Sequence, residues 1–497
     1  GAEPPRHRGR AGPEDRRPRR GTADPAQLTP EPRDPVVPPP ALYADQHDAG
    51  PALAPPHVDP TGIVRGPLRP AILRLALPAV GTTLFQVLFN ITDTFWVGRT
   101  LGPEALAAVS LASYTVWIIV SIGELVGVGL TAVASRRHGE GEPDRAARAA
   151  GTALVMALVL GVVVAAGGIA ALPAIFRLMQ AHGRVAELAR DFLVIQLAGA
   201  VLIYGYFVVT AAFRSAGDTR TPFVLLGGSV LLNLVLDPVM ILGLGPVPAL
   251  GVYGAALATV LTRGLGFIVG LELLRRRGGL RLELSLPVAR TIARIGLPTM
   301  LTGVLFSAIY MLLVRVVGRF GTAAIAALGV GHKIEGVSYM ICIGFGLAAE
   351  TIVGQNLGAG QPTRARRAGW MTAHMAAVAP AIAGLLFVLV PGTLVGVFTR
   401  DPAVIEAAVP YLLAAAAAQL VMAYENVLEG ALSGAGYTFY TMVAVVGISA
   451  LRVPLAEIVA GALGLVGVWW MLALTAMARA GAMTALWQWG RWEKARA

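Results

Sequence analysis

Asp93 sits within residues 72–97, an apolar stretch long enough to cross a bilayer as a helix. A carboxylate at that depth costs about 2.5–3.5 kcal/mol on insertion scales, so such residues are rare and usually face a cavity or an ion path. Gln86 and Asn90 precede it at helical spacing, i, i+4, i+7, which predicts a polar stripe on one face. Asn233 and Asp237 form a second constellation, i, i+4, inside another apolar run. Pro238 follows, and it lacks the N–H that would bind the Leu234 carbonyl. That oxygen is left free to coordinate, or the helix is left free to bend.

The elements that position these groups are read from composition. The chain has 497 residues, 56% of them hydrophobic and 14% charged, with a mean hydropathy of +0.67. Soluble domains carry about 25% charged residues. The apolar excess runs through almost the whole chain after residue 70, which predicts an all-α polytopic membrane protein. Twelve spans are expected, near 72–97, 105–134, 149–173, 188–213, 222–243, 251–274, 291–317, 322–353, 369–391, 406–432, 440–460 and 463–488. The formal charge of +11 comes from arginines clustered between apolar runs. Topology and anionic lipid explain that pattern better than nucleic acid does. Arg136, Arg137, Arg145, Arg148, Arg214, Arg220, Arg275, Arg276, Arg277, Arg364, Arg366 and Arg367 fall on one side. The positive-inside rule then puts both termini in the cytoplasm of a plasma (inner) membrane protein. The lone Cys342 excludes an intrachain disulfide and a Cys-based metal site.

Residues 1–65 are rich in Pro, Arg, Ala and Gly and lack apolar periodicity. They are expected to be a disordered cytoplasmic tail touching headgroups, or the product of a misplaced start codon. No apolar segment of signal-peptide type follows the early arginines.

The remainder repeats itself. Ile72-Leu-Arg-Leu-Ala-Leu-Pro78 matches Ile292-Ala-Arg-Ile-Gly-Leu-Pro298, and residues 102–148 align with 321–367 at one constant offset. The same offset carries Ala212-Phe-Arg-Ser-Ala-Gly217 onto Ala431-Leu-Ser-Gly-Ala-Gly436. Six spans per half is an even number, so the halves, 70–280 and 285–490, insert in the same orientation. Two pseudo-symmetric six-helix lobes with a substrate path between them, rocking to give alternating access, is transporter architecture.

Three motifs carry a family resemblance: Phe89-Asn-Ile-Thr-Asp93-Thr-Phe-Trp-Val-Gly98, Asn233-Leu-Val-Leu-Asp237-Pro238, and Val353-Gly-Gln-Asn-Leu-Gly-Ala-Gly360 followed by Arg364-Ala-Arg-Arg367. Over residues 70 to 490 the chain resembles the multidrug and toxic compound extrusion (MATE) family, most of all its DinF-like and archaeal branch. The resemblance implies a V-shaped pair of lobes and efflux of organic cations against an inward flow of H⁺ or Na⁺. It also implies a cation site within the N-terminal lobe at Asp93, Asn233 and Asp237, completed by the hydroxyl of Thr259. Two carboxylates brought together in low dielectric cannot both stay ionised cheaply. Such a pair holds one proton or, with the Asn233 and Thr259 oxygens, a hard cation such as Na⁺. The bland alternative is that these acids only hydrogen-bond neighbouring helices.

Other residues carry weaker signals. Glu124, a charge the family would not place there, either binds cationic substrate or pairs with a donor elsewhere. Gln86, Asn90, Tyr114, Trp117, Tyr204, Tyr206, Phe306, Tyr310 and Tyr424 are candidates to line a substrate cavity, the aromatics by cation–π contact. Aromatics at helical spacing are more often packing residues. His332 and Glu335, at i, i+3, are expected to face each other in a structural hydrogen bond. Glu425 and Glu429 share a helix face, where repulsion would favour one protonated member; they are a candidate second site. His374 is expected to be packed or at a cavity rim. Gly81, Gly127, Gly129, Gly344 and Gly346 are expected to allow close helix packing.

Rival readings remain. A lipid-linked oligosaccharide or peptidoglycan-precursor flippase would want arginines or lysines in the cavity, and only Arg263 and Arg452 oppose the acidic mid-membrane balance. A membrane-embedded enzyme is disfavoured by the lack of a His-Glu-x-x-His motif, a Walker loop or a catalytic dyad. No cofactor beyond the coupling ion is expected, the partners being organic-cation drugs and lipid, with the protein a monomer that binds no nucleic acid.

Overall fold

A computed structural model describes residue 1 and residues 62–178 and 182–495. The predicted tail falls almost wholly outside these residues. Its last part, 62–65, is not disordered: Ile63 is buried, and its carbonyl accepts from Asn356 Nδ2 (3.4 Å) and Arg364 Nη2 (3.1 Å). Arg364 also donates to the Gly66 carbonyl.

The described residues are helical. The first half forms α1 (Leu68–Leu101), α2 (Pro103–Gly139), α3 (Pro143–Leu178), α4 (Gly183–Ala198), α5 (Ala200–Ser215), α6 (Arg220–Leu242) and α7 (Gly251–Arg276). The second forms α8 (Leu286–Val317), α9 (Thr322–Gly358), α10 (Pro362–Ala376), α11 (Val378–Leu389), the single-turn α12 (Pro391–Gly396), α13 (Pro402–Gly434) and α14 (Thr438–Trp489). These make twelve membrane spans in two six-helix lobes. The segment expected as one span over 188–213 is two helices, α4 and α5, bent by 49° about Gly199. α10 and α11 form one span broken near Ala377, where Pro380 cannot donate to the Ala376 carbonyl. α14 is two spans folded back at Gly464, whose φ of 65° and ψ of −157° are closed to other residues at little cost. Its arms run antiparallel: Arg452 Nε donates to Thr475 Oγ1 (2.8 Å) and Arg479 Nη1 to Ser449 Oγ (3.4 Å), each pair straddling the glycine.

The sequence repeat is a backbone repeat. Left-handed glycines end the same elements in both lobes: Gly102 and Gly321 (φ 84° and 97°), Gly141 and Gly360 (76° and 69°), Gly217 and Gly436 (85° and 77°). Each turn starts the next helix at a matching place, so the two bundles share one path.

Each lobe has its own apolar core, from α2, α3, α4, α5 and α7 in the first and α8, α9, α13 and α14 in the second. A third cluster joins the lobes: Leu68, Ile72, Leu75 and Ala76 of α1 pack with α9, α10, α13 and the end of α14. Glycines bring backbones together here, because a membrane interior gives apolar side chains no advantage over lipid and close contact supplies the attraction. A Cβ on Gly129 would strike the Ile292 carbonyl, one on Gly296 the Leu125 carbonyl, one on Gly354 the Ser135 side chain and one on Gly358 the Arg136 carbonyl. Thr83 Oγ1 donates to the Met340 carbonyl (2.8 Å), Gln355 Nε2 to the Ser215 carbonyl (2.7 Å) and Arg136 Nη1 to the Ala495 carbonyl (2.7 Å). These interlobe contacts lie on the half of the helices that carries the arginine-rich loops. Gly81, Gly344 and Gly346 are similarly tight, whereas Gly127 has only the Phe207 Cβ nearby, at ordinary contact distance.

Candidate functional site

α1, α6 and α7 meet in the first lobe along a seam cut to fit. Gly81 of α1 admits the Phe223 ring and Gly227 of α6 admits Phe85, and these rings stack at 5.1 Å. Ser229 Oγ of α6 donates to the Thr262 carbonyl of α7 (3.1 Å). α6 runs unbroken through Pro238. Phe89, Leu226 and Val230 form a small apolar cluster beside the seam.

Inside it, four expected residues converge from three helices. Thr259 Oγ1 donates to Asp93 Oδ2 (3.1 Å), and Asn233 Nδ2 donates to Asp237 Oδ1 (3.0 Å). The two carboxyl groups are close enough for their charges to interact. Asn233 and Asp237 are fully buried. Asp93 Oδ1, Asn233 Oδ1 and Asp237 Oδ2 are buried with no hydrogen-bond donor. A buried acceptor left unpaired costs about 1–3 kcal/mol, more for a charged one. Three at one spot form a set short of positive charge. Two facing carboxylates hold together only with a proton or a cation between them, and these oxygens suit either a proton or a hard cation such as Na⁺.

The polar stripe of α1 has a partner that the sequence did not reveal. Arg263, one turn beyond Thr259, donates from Nη2 to Gln86 Oε1 (2.5 Å). Gln86 Nε2 in turn donates to Asn90 Oδ1 (3.3 Å). The guanidinium lies 4.8 Å from the Phe89 ring centroid and 5.4 Å from that of Tyr206. Gln86 and Asn90, expected as cavity residues, are thus joined to Arg263 in one hydrogen-bonded chain, and Asn90 is itself exposed. The i, i+4 spacing of Thr259 and Arg263 was the available signal.

Several expectations are corrected. Tyr204 does not line a cavity: it is fully buried, and its hydroxyl donates to the Ile119 carbonyl (2.7 Å). Its ring fills the space beside Gly123. His332 and Glu335 do not bond each other. His332 Nε2 pairs with the Tyr310 hydroxyl (2.9 Å), while Glu335 accepts from Tyr411 (2.8 Å) and Gln419 Nε2 (3.5 Å). Tyr310 thus belongs to an aromatic cluster inside the second lobe, with Phe306 and His332 rings at 4.9 and 5.0 Å. Glu425 forms an ion pair with Arg479 (3.1 Å) in which both side chains are about one-tenth exposed, and it lies within electrostatic reach of Glu429, as their shared face implied. Tyr424 contacts the rings of Trp370 and His374, and His374 is itself exposed, its Nδ1 paired with the Trp370 carbonyl (2.5 Å). Tyr114 and Trp117 are about half exposed on α2, and Glu124 is exposed on the same helix within electrostatic reach of Arg214. Among the described residues no three His, Cys, Asp or Glu side chains gather as metal ligands.

The fold and its motifs agree with what the chain is similar to. The MatE family model matches residues 78–239 and 298–458, once in each lobe. A protein named "Probable multidrug resistance protein NorM" from Thermotoga maritima is 28% identical over 86% of this chain and 94% of its own length. An "FAD transporter" from Shewanella oneidensis is 28% identical over 70% of this chain and 78% of its own. The structure of a MOP superfamily transporter from Pyrococcus furiosus superposes with a TM-score of 0.80 at 25% identity, covering 87% of this chain and 97% of that one. The two matched halves, the shared fold and the polar seam of α1, α6 and α7 lead to one conclusion: this chain is a multi-pass membrane protein that belongs to the MatE family of transporters.

Proposed function

We propose that the protein is a secondary-active antiporter that exports organic-cation drugs in exchange for H⁺ or Na⁺, with Asp93, Asn233, Asp237 and Thr259 as its coupling site. The observation that carries this reading is the set of three buried, donorless oxygens on two facing carboxyls and an amide. Loading the site with positive charge removes the repulsion between α1 and α6; unloading restores it. That difference biases the helices between two packings, which is the energetic requirement for coupling ion entry to cargo release. The tight, arginine-rich end is read as cytoplasmic, so the lobes are closed to the cytoplasm of a plasma (inner) membrane. Both termini lie inside and the unit is a monomer. Glu124 on α2, with exposed Tyr114 near it in sequence, offers cationic cargo an acidic and aromatic surface.

Anionic cargo, as for a flippase, is disfavoured by where the arginines are. Arg263 and Arg452 are buried and engaged within their lobes, on Gln86 and Thr475 respectively. Arg479 is committed to Glu425.

Ethidium efflux from cells lacking their own pumps tests the reading. Wild type is expected to lower cellular ethidium, and Asp93→Asn or Asp237→Asn to abolish that at equal expression. Full efflux by both variants would sink it.

A further inference from the structure

Arg263 leaves the same face of α7 as Thr259, one turn on. It is only 8% exposed, held by Gln86 and flanked by the faces of Phe89 and Tyr206. It is close enough to Asp93 for the two charges to attract. A guanidinium stays protonated in proteins. The site therefore contains a positive charge that no gradient supplies or removes.

That charge bears on which cation can enter. With both aspartates ionised and Arg263 charged, the cluster carries one net negative charge. An alkali ion would have to be wrapped by oxygen lone pairs beside a like charge. On the same stripe of α1, Asn90 Oδ1 already accepts from Gln86 Nε2, and Gln86 Oε1 is taken by the guanidinium. A proton needs a single acceptor and can be shared between facing carboxyls without displacing anything. We infer that Arg263 is a specificity-determining residue of the coupling site: a tethered cation that keeps alkali ions off the Asp93–Asp237 pair and leaves the proton as the ion admitted. This rests on reading that pair as the coupling site.

The test uses the purified full chain without cargo. Thermal unfolding is followed in NaCl against choline chloride at matched ionic strength, for wild type, Asp93→Asn, R263K, R263M, R263Q, and R263M combined with Asp93→Asn. Wild type and R263K are expected to melt identically in the two salts. R263M and R263Q are expected to gain a saturable, Na⁺-specific rise in melting temperature, half-maximal at a Na⁺ concentration at least tenfold below any response of wild type. Asp93→Asn in the R263M background is expected to remove that rise. Two results would overturn the inference: a Na⁺-specific rise in wild type that Asp93→Asn abolishes, or cooperative melting of both neutral variants with no Na⁺ response. Because no transport is measured, failure of ethidium efflux would count against the proposed function and leave this result standing.

Discussion

Replacing Thr259 by Val keeps the shape of the side chain and removes the hydrogen that Asp93 Oδ2 accepts. A hydrogen bond to a charged acceptor is worth about 1.5–3 kcal/mol. That bond favours the ionised, unloaded carboxylate, so Thr259→Val is expected to favour the proton-loaded site and to shift half-maximal efflux to a proton concentration about tenfold or more lower, while the protein melts normally. Unchanged gradient dependence would remove the hydroxyl from the site. At this scale the acids, Asn233 and Thr259 were legible, because a carboxylate in an apolar span and an i, i+4 amide–carboxylate pair are costly and few. Arg263 was not legible as a member. Which turn of α7 meets α1 is set by packing between helices far apart in sequence. Tyr204 misled for the same reason, since helical spacing does not say whether an aromatic faces a cavity or the Gly123 pocket that it fills. His332 and Glu335 can reach each other, but the phenols of Tyr310 and Tyr411 on neighbouring helices take those positions.

The helices that must move are the ones that touch across the lobes. Gly296 of α8 lies so close to the Leu125 carbonyl of α2 that a side chain there has no room. Gly296→Val is expected to wedge this end open at a cost of about 1–3 kcal/mol, shifting the balance of states about tenfold or more. Labelling of a cysteine at Ser135→Cys, with Cys342→Ala to remove the native thiol, should then be faster than without the wedge. Equal labelling rates would mean that the Gly296 contact does not hold this end closed. Span positions were largely legible from hydropathy, because the bilayer fixes how long an apolar run must be. The breaks were less so. Gly199 resembles other mid-span glycines until Val260 of α7 is packed against it. Gly464 falls just inside the expected span 463–488, and only its backbone shows the chain reversing there with no separate loop.

Across the whole molecule, the repeat written in the sequence returns as paired left-handed glycines and two bundles of one path, yet the lobes have diverged inside. Arg452 stands in the second lobe at the repeat position of Asn233 and bonds Thr475. The facing-carboxyl pair thus belongs to the first lobe. The repeat was legible because loop glycines and prolines keep their spacing; the asymmetry of charge was visible as residues but not as contacts. Antiport requires that coupling run both ways, since linkage between two ligands is reciprocal. The direct measurement loads proteoliposomes with ethidium, imposes no ion gradient, and follows internal pH and internal Na⁺ as ethidium leaves. Wild type is predicted to take up the coupling ion as cargo exits, and Asp93→Asn to give no ion uptake. Cargo exit from wild type without movement of either ion, or undiminished ion uptake in Asp93→Asn, would contradict the account.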